Sequence, residues 1–481
     1  MIASMDRRWL ALIIVCLGTL MIVLDATIVN VALPSIREDL GFSETSLAWV
    51  VNAYLLTFGG FLLLSGRLGD LFGHRRLFLI GIVLFTLASL ACGLATSQEF
   101  LISARAVQGL GGAVVSAVAL SLIMMLFTET GERAKAMGVY GFVASGGGTL
   151  GVITGGVLTD LFSWHWIFLV NIPIGIAVYA LSSALLPRAE AAAGDRRVDV
   201  AGAVIVTGSL MLAVYAIVNG NEVGWLTLQT IGLLVTSGIL LVVFLVVESR
   251  VKQPLVPLGL FRHRTLSTAN GVAVLLAGSM FAWFFLSALY LQLVLGYSPL
   301  EVGLAFLPAT LIMGAFSLGL SARLVMRFGL KKPLVTGMLF MGAGLFLFTL
   351  VPVDGNFVVD VVPGMILLGI GAGMAFNPLL LAAMGDVEPT EAGLASGLVN
   401  TSFMMGGALG LAILASLSAS RSDSLLASGD TRLEALTGGY HAAFLVGGLF
   451  AVAGAAISAW LIQAEQPQMH AEQPQPEPSQ P

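Results

Sequence analysis

The sequence predicts an all-α polytopic membrane protein, and three observations support this fold class. Of the 481 residues, 57% are hydrophobic and only 10% are charged, which is more apolar than an ordinary soluble domain. Apolar runs of about 20 residues, long enough to cross a bilayer as helices, follow one another along the chain. Lysines and arginines fall mostly in the short breaks between these runs. Because the bilayer offers the backbone no hydrogen-bonding partner, runs of this length are predicted to be helices.

Fourteen spans are predicted in order along the chain. Charged breaks at 188–199 and 248–264 divide them into a group of six, a pair and a second group of six. The predicted spans are 10–31, 47–65, 77–96, 101–126, 137–159, 166–186, 200–219, 227–247, 267–291, 301–322, 333–352, 362–384, 392–417 and 441–462.

The placement of basic residues supports this count. If the spans alternate in direction, eighteen of the 22 lysines and arginines lie on one side of the membrane. Arg37, Arg421 and Arg432 fall on the other side, and Arg105 falls within a span. Since basic residues concentrate in cytoplasmic loops, both termini are predicted to be cytoplasmic, with the chain in the plasma (inner) membrane.

A short charged loop occurs twice. Residues 66–78 read GRLGDLFGHRRLF and close span two, and residues 322–334, which lie 256 positions later, read ARLVMRFGLKKPL and close span ten. Two parallel halves around a substrate site are a known transporter design, and the repeat predicts this design. The predicted domains are an N-terminal six-helix bundle (1–187), an inserted helix pair with cytoplasmic linkers (188–265), a C-terminal six-helix bundle (266–462) and a disordered cytoplasmic tail (463–481).

The 66–78 loop resembles the signature loop of the major facilitator superfamily, G-x-L-a-D-r-x-G-r-k, although Leu71 and His74 stand at positions that are usually basic. Further stretches resemble motifs of its fourteen-span drug:proton antiporter branch: LDATIVNVALPSI (24–36), RAVQGLGGA (105–113), WHWIFLVNIPIG (164–175) and YLQLVLGYSPLEVGLAFLP (290–308). The resemblance implies the major facilitator fold, with two six-helix bundles and two inserted helices. It also implies proton-coupled export of amphipathic drugs by alternating access.

Asp25 lies about fifteen residues into the first span, deep in the hydrocarbon region. Burial of a carboxylate there costs about 2.5–3.5 kcal/mol, so Asp25 is expected to face a cavity. An apolar environment disfavours the charged form, which makes a proton on Asp25 exchangeable near neutral pH. The proton is expected to weaken the hold of Asp25 on a cationic drug. The alternative is a permanently protonated acid that bonds to a neighbouring helix.

Arg105, in the fourth span, is the second candidate for proton coupling. The family motif that residues 105–113 resemble has an arginine at this position and associates it with proton transfer. A fixed positive charge favours the ionised form of a nearby acid and helps to expel its proton. Gln108 shares the helix face of Arg105 and could orient it. The alternative is that Arg105 extends to the outer headgroups.

The 66–78 loop is a candidate gate. Asp70 could pair with an arginine or with a helix N-terminus when the inner side is closed. Gly66 belongs to the same motif, and Gly73 permits a tight turn. Arg75 and Arg76 either take part in the gate or only orient the chain in the membrane.

The fifth span carries glycines that predict close helix packing. Gly147, Gly151 and Gly155 recur every fourth residue and form one bare ridge, with Gly156 beside it. The antiporter motif that this span resembles has a proline where this chain has Val152. This helix is therefore expected to be less kinked than one that keeps the proline. Packing alone explains these glycines about as well as a role in coupling.

An apolar substrate cavity is predicted from large side chains in the middle of spans. Trp283 lies far from both ends of span nine, so it either faces lipid or lines a cavity that suits aromatic drugs. The other candidate cavity residues are Phe284, Phe376, Met404 and Gln108.

Several function classes are excluded by the sequence. No lysine follows a glycine, which rules out a phosphate-binding loop for ATP. The five histidines and two cysteines make no metal-ligand spacing, so neither a metal nor a cofactor is predicted, and no enzyme motif is present.

The expected partners are an amphipathic small molecule, protons and the lipid bilayer, with no nucleic acid, and the chain is expected to act as a monomer. Two alternatives stay open: an exporter dedicated to one antibiotic, siderophore or metabolite, and a membrane receptor that does not transport.

Overall fold

The computed structural model describes residues 7–186, 199–251, 254–385, 387 and 391–462. The predicted tail 463–481 and most of the charged break at 188–199 lie outside these ranges. Every regular element within the described residues is helical. The α-helices are α1 (Arg7–Leu40), α2 (Glu44–Leu47), α3 (Trp49–Phe72), α4 (His74–Gly93), α5 (Gln98–Leu126), α6 (Thr130–Leu161), α7 (Trp166–Leu169), α8 (Asn171–Leu185), α9 (Val200–Val223), α10 (Leu228–Arg250), α11 (Arg264–Leu289), α12 (Pro299–Ala305), α13 (Leu307–Ala315), α14 (Ser321–Phe328), α15 (Lys331–Phe348), α16 (Val362–Gly385), α17 (Ala392–Ser428) and α18 (Arg432–Leu461).

Thirteen helices of the described chain are long and apolar enough to cross a membrane. They match thirteen of the fourteen predicted spans, and the chain is a multi-pass helical membrane protein.

The remaining predicted span, 301–322, is not one continuous helix. It consists of α12, α13, a π-helical turn at Phe316–Leu320 and α14. Pro308 lies in the first turn of α13, where its missing N–H cannot continue the hydrogen bonds of α12. Gly319, in the π-helical turn, has a φ of 127° that breaks the helical path.

The helices pack in two groups that touch along several lines. In the first group, α5 packs on α3 and α4, and α1 packs on α6 and α8. In the second group, α11 packs on α17 and α18, and α15 packs on α16 and α18. The groups meet where α3 lies against α17 and where α6 lies against α12 and α13. Helix α10 packs on α9, and α9 in turn packs on α3 and α17.

The bundle has two ends, which we call proximal, where α1 begins at Arg7, and distal, where α1 ends at Leu40. Arg8 pairs with Glu132 at 3.0 Å and ties the starts of α1 and α6 at the proximal end. Towards the distal end, Gln292 donates to the carbonyl of Val31 at 2.8 Å and joins the two groups.

The glycines of α6 bring helices together as predicted. A methyl group on Gly147 would lie 3.0 Å from a methyl carbon of Val23, and one on Gly155 would lie 2.7 Å from the carbonyl oxygen of Ile28. Gly151 likewise abuts Thr27, so the ridge packs on α1. Helix α6 runs unbroken from Thr130 to Leu161, in agreement with the loss of the motif proline.

The repeated loop has a glycine with positive φ at the same position in both copies. Gly73 has a φ of 92° and ends α3, and Gly329 has a φ of 76° and ends α14. Side chains with a Cβ rarely adopt these angles, which explains why both copies keep glycine here.

Candidate functional site

Asp25 lies in the middle of α1 and has no exposed surface. Three side chains donate to its carboxylate: Arg105 Nη1 at 2.6 Å, Gln108 Nε2 at 2.7 Å and Asn171 Nδ2 at 3.0 Å. These donors come from α5 and α8, which both pack on α1. The cost of burying the charge is therefore offset by an ion pair and two further hydrogen bonds.

Arg105, which is 1% exposed, is held on several sides. Besides Asp25, its guanidinium donates to the Gln108 side-chain oxygen at 2.7 Å and, through Nε, to the Val50 carbonyl at 3.0 Å. Its Cζ atom lies 4.4 Å from the Tyr54 ring centroid and 5.6 Å from that of Phe168, within the range of cation–π attraction. Arg105 therefore faces the interior of the first helix group, and the alternative that it extends to the headgroups is wrong.

Two further residues complete what we call the polar cluster, which comprises Asp25, Ser89, Arg105, Gln108 and Asn171. Ser89 accepts from Gln108 at 3.1 Å and from Asn171 at 3.0 Å, and it donates to the Phe168 carbonyl at 2.8 Å. Sequence reasoning did not assign a role to Ser89 or Asn171. The available signal was the motif at 164–175, which includes Asn171.

The partners of Asp25 indicate its charge state. All three facing groups donate, and an ionised carboxylate is an acceptor only. A protonated Asp25 would present one O–H among these donors and would lose its charge attraction to Arg105. The structure thus matches an ionised Asp25 paired with Arg105, which disagrees with the alternative of a permanently protonated acid.

The structure corrects two expectations about this region. Asp25 was expected to face a cavity, but in this conformation the polar cluster encloses it completely. Gln108 was placed among the cavity residues, but it is fully buried and joins Asp25 to Arg105 instead. Its expected role in orienting Arg105 agrees with the contact between them.

The candidate gate loop lies at the proximal end. Asp70 is exposed and its carboxylate lies 3.3 Å from Nε2 of His74, which is four residues further along and begins α4. Arg75 donates to the Ser183 carbonyl at 2.6 Å and so joins α4 to α8. Arg76 is exposed, and no described atom outside the neighbouring backbone of α3 lies within 4 Å of a methyl group placed on Gly66. Asp70 thus pairs within its own loop in this conformation.

The predicted cavity residues separate into two sets. Trp283 is fully buried, 4.3 Å from Phe284 between ring centroids, and both rings contact Phe306. This burial disagrees with the alternative that Trp283 faces lipid. Phe376 and Met404 are only partly buried, and the Phe376 ring meets Phe403 edge-on at 5.2 Å. Their contact with substrate stays a prediction.

Gly156 lies on the opposite side of α6 from the ridge and contacts the second helix group. A methyl group there would lie 2.7 Å from the Pro299 carbonyl oxygen and 2.8 Å from Leu300 Cα. One on Gly303 would lie 2.6 Å from the Val152 carbonyl oxygen. Helices α6 and α12 thus touch backbone to backbone near the distal end.

Comparison with known proteins places the fold and the motifs in one family. The sequence model of the Major Facilitator Superfamily matches residues 15–411. A puromycin resistance protein of Streptomyces alboniger is 40% identical over 461 residues, which covers 95% of this chain and 91% of that protein. The multidrug resistance protein Stp of Mycobacterium tuberculosis is 36% identical over 410 residues, covering 85% of this chain and 75% of that protein.

The fold also matches a solved structure, a bacterial homolog of the human lysosomal transporter Spinster in an inward-facing and unoccupied conformation. The TM-score is 0.66 at 15% identity, and the match covers 95% of this chain and 97% of that one. At this identity the likeness concerns the fold alone. Together with the motif at 66–78 and the sequence match over most of the chain, it shows that this protein is a membrane transporter of the major facilitator superfamily.

Proposed function

We propose that this protein is a proton-coupled antiporter that exports amphipathic drugs or other toxic compounds from the cell. The single observation that supports coupling is the ion pair of Asp25 and Arg105, enclosed by Gln108 and Asn171 within the first helix group. Two related proteins are named for resistance to puromycin and to multiple drugs, which supports export as the direction of transport.

The coupling follows from the chemistry of the ion pair. A proton on Asp25 neutralises the carboxylate, removes the attraction to Arg105 and leaves the polar cluster with one donor too many. The cluster is therefore stable in one arrangement when Asp25 is ionised and in another when it is protonated. Because α1, α4, α5 and α8 all contribute to the cluster, the change of arrangement moves these helices together.

In this conformation the two helix groups touch at the distal end through Gly156 and Leu300 and through Gln292 and Val31. With both termini cytoplasmic, the distal end is the outer one, and the described state is closed towards the outside. Loading of Asp25 with a proton occurs in the opposite, outward-open state. Release of the proton to the cytoplasm restores the ion pair that is seen here.

The drug is proposed to bind between the two helix groups, beside partly exposed side chains such as Phe376 and Met404. Asp25 has no surface there in this state, so coupling acts through helix rearrangement and not through direct contact between drug and carboxylate.

A transporter dedicated to one antibiotic is the second candidate, because the puromycin resistance protein carries the name of a single compound. A transport panel in everted membrane vesicles, with and without a protonophore, separates the two. Uptake of several unrelated amphipathic compounds that the protonophore abolishes supports multidrug antiport. Uptake of one compound only supports the second candidate, and uptake that the protonophore leaves unchanged contradicts proton coupling.

A further inference from the structure

A pair of buried carboxyl groups lies at the proximal end of the two helices α9 and α10. Asp199 precedes the first turn of α9 and is 8% exposed, and Glu248 lies in the last turn of α10 and is 3% exposed. A methyl group on Gly202 would lie 2.5 Å from Asp199 Oδ2 and 2.8 Å from Glu248 Oε1. These two oxygens therefore face the same small space from opposite helices.

Each carboxyl group uses its other oxygen to bind the backbone. The N–H of Gly202 donates to Asp199 Oδ1 at 2.7 Å and caps α9. The N–H of Val256 donates to Glu248 Oε2 at 3.1 Å and fastens the segment after α10, residues 254–263, which we call the linker.

The two facing oxygens lack a donor. Asp199 Oδ2 and Glu248 Oε1 are both buried, and neither accepts a hydrogen bond from any described residue. Two ionised carboxylates have no proton to share, and like charges in contact away from water repel strongly. A single proton between the two oxygens removes the repulsion and supplies the missing hydrogen bond.

We propose that Asp199 and Glu248 form a proton-binding site, in which one proton held between Asp199 Oδ2 and Glu248 Oε1 keeps the linker docked on α9 and α10. This site is separate from the polar cluster around Asp25, and it binds its proton whether or not the chain transports.

The surroundings of the site favour a shared proton. Glu248 is buried beside Asp199, and the N–H groups of Val256 and Leu255 lie next to its carboxyl group. No side chain of the described neighbouring elements donates to the two facing oxygens. At the proximal end, the charged or titratable side chains of these elements are Arg67 and Asp70 of α3, Arg250 of α10, Arg262 and His263 of the linker, and Glu391 before α17.

Loss of the proton has a structural consequence. The linker residues Leu255 and Val256 belong to a small apolar cluster with Phe244 of α10, Leu64 of α3 and Leu398 of α17. Repulsion between the ionised carboxylates would pull Glu248 away from Val256 and loosen this cluster. The bound proton therefore stabilises the docked linker at low pH, and this stabilisation is lost as the pH rises.

The variant that tests the shared proton is Glu248→Gln in the full-length protein, because glutamine has nearly the same shape as glutamate. The glutamine amide donates permanently to Asp199 Oδ2, and its oxygen still accepts from Val256, so docking no longer depends on a proton. Asp199→Asn is the reciprocal variant. Asp25→Asn is the control, since it removes the other deeply buried acid without touching this site.

Infrared difference spectroscopy across a pH titration measures the protonated carboxyl group directly. We expect a carbonyl stretch of a protonated acid that disappears as the pH rises, is lost in both Glu248→Gln and Asp199→Asn, and persists in Asp25→Asn. Hydrogen–deuterium exchange of the linker, corrected for intrinsic rates, is expected to increase with pH in the wild type and to stay low in Glu248→Gln. The proposal is overturned if the wild type lacks this band or if the band persists in Glu248→Gln and Asp199→Asn. It is also overturned if linker exchange depends on pH in Glu248→Gln as it does in the wild type.

Discussion

Among single residues, Arg105 shows how strongly the members of the polar cluster depend on one another. Its guanidinium contacts Asp25, Gln108 and the Val50 carbonyl at once, and the Tyr54 ring covers one face. An ammonium group is a compact point charge and cannot reproduce this planar set of contacts. The cluster therefore needs an arginine at this position and not merely a positive charge.

Arg105→Ala is expected to destabilise the protein by about 3–5 kcal/mol, because it leaves the buried carboxylate of Asp25 without its counter-charge. Arg105→Lys should cost less, since it keeps a positive charge near Asp25, and it should impair coupling less than the alanine variant. Unfolding in detergent measures the stability, and gradient-driven transport measures the coupling. Equal stability of the alanine variant and the wild type would contradict the role assigned to the ion pair.

Asp70→Asn tests the gate loop. Because Asp70 is exposed and pairs with His74 within its own loop, the variant should fold and insert like the wild type. We expect slower turnover, since the proposed contact of Asp70 in the inward-closed state would lose its charge. If Asp70→Asn transports at the wild-type rate, the gate hypothesis is wrong and the loop only determines the orientation of the chain in the membrane.

The residues of the site differ in how far they could be predicted. Asp25 and Arg105 stand out because charges in apolar spans are costly and rare. Gln108 was identified through its spacing of three residues from Arg105 on one helix. Ser89 and Asn171 could not be found in this way, because uncharged polar residues are common in spans. Their partners lie on other helices, so only the packing of α4 and α8 brings them to Asp25.

Among the elements, α6 packs against helices of both groups. Its ridge at Gly147, Gly151 and Gly155 packs on α1, and Gly156 packs on α12 of the other helix group. The first contact joins helices of one group, while the second joins the groups and has to separate when the distal end opens. The helix-period spacing of the ridge predicted the first contact. It could not reveal the second, which depends on how the two groups meet.

Gly156→Ala is expected to weaken the closed distal end, because the added methyl group would lie 2.7 Å from the Pro299 carbonyl oxygen. Overpacking of this kind costs about 1–3 kcal/mol, which shifts the population towards the distal-open state. Gly146→Ala is the control on the same helix, because no described atom outside the neighbouring backbone of α6 lies within 4 Å of its added methyl group. Spin-label distances across α6 and α12 should lengthen for Gly156→Ala only. Unchanged distances would show that this contact does not hold the distal end closed.

For the whole molecule, the length of apolar runs predicted most of the fold, because a bilayer imposes helices of a fixed minimum length. The interruption of the tenth predicted span at Pro308 and Gly319 was missed, since no charged residue follows Glu301 within this run. We propose that α9 and α10 are an insertion beside two six-helix bundles. Cysteine crosslinking tests this arrangement, and crosslinks between Asp25 and Tyr215 or Phe244 would contradict it.

The central claim is that Asp25 carries the proton that drives export, and pH-gradient-driven efflux from proteoliposomes tests it most directly. Asp25→Asn cannot exchange a proton, so we expect it to bind drug but to lose uphill efflux, while Asp25→Glu retains part of the activity. Drug binding by each variant, measured in the same preparation, shows that the protein is folded. Full gradient-driven efflux by Asp25→Asn would contradict the account and place the coupling proton elsewhere in the chain.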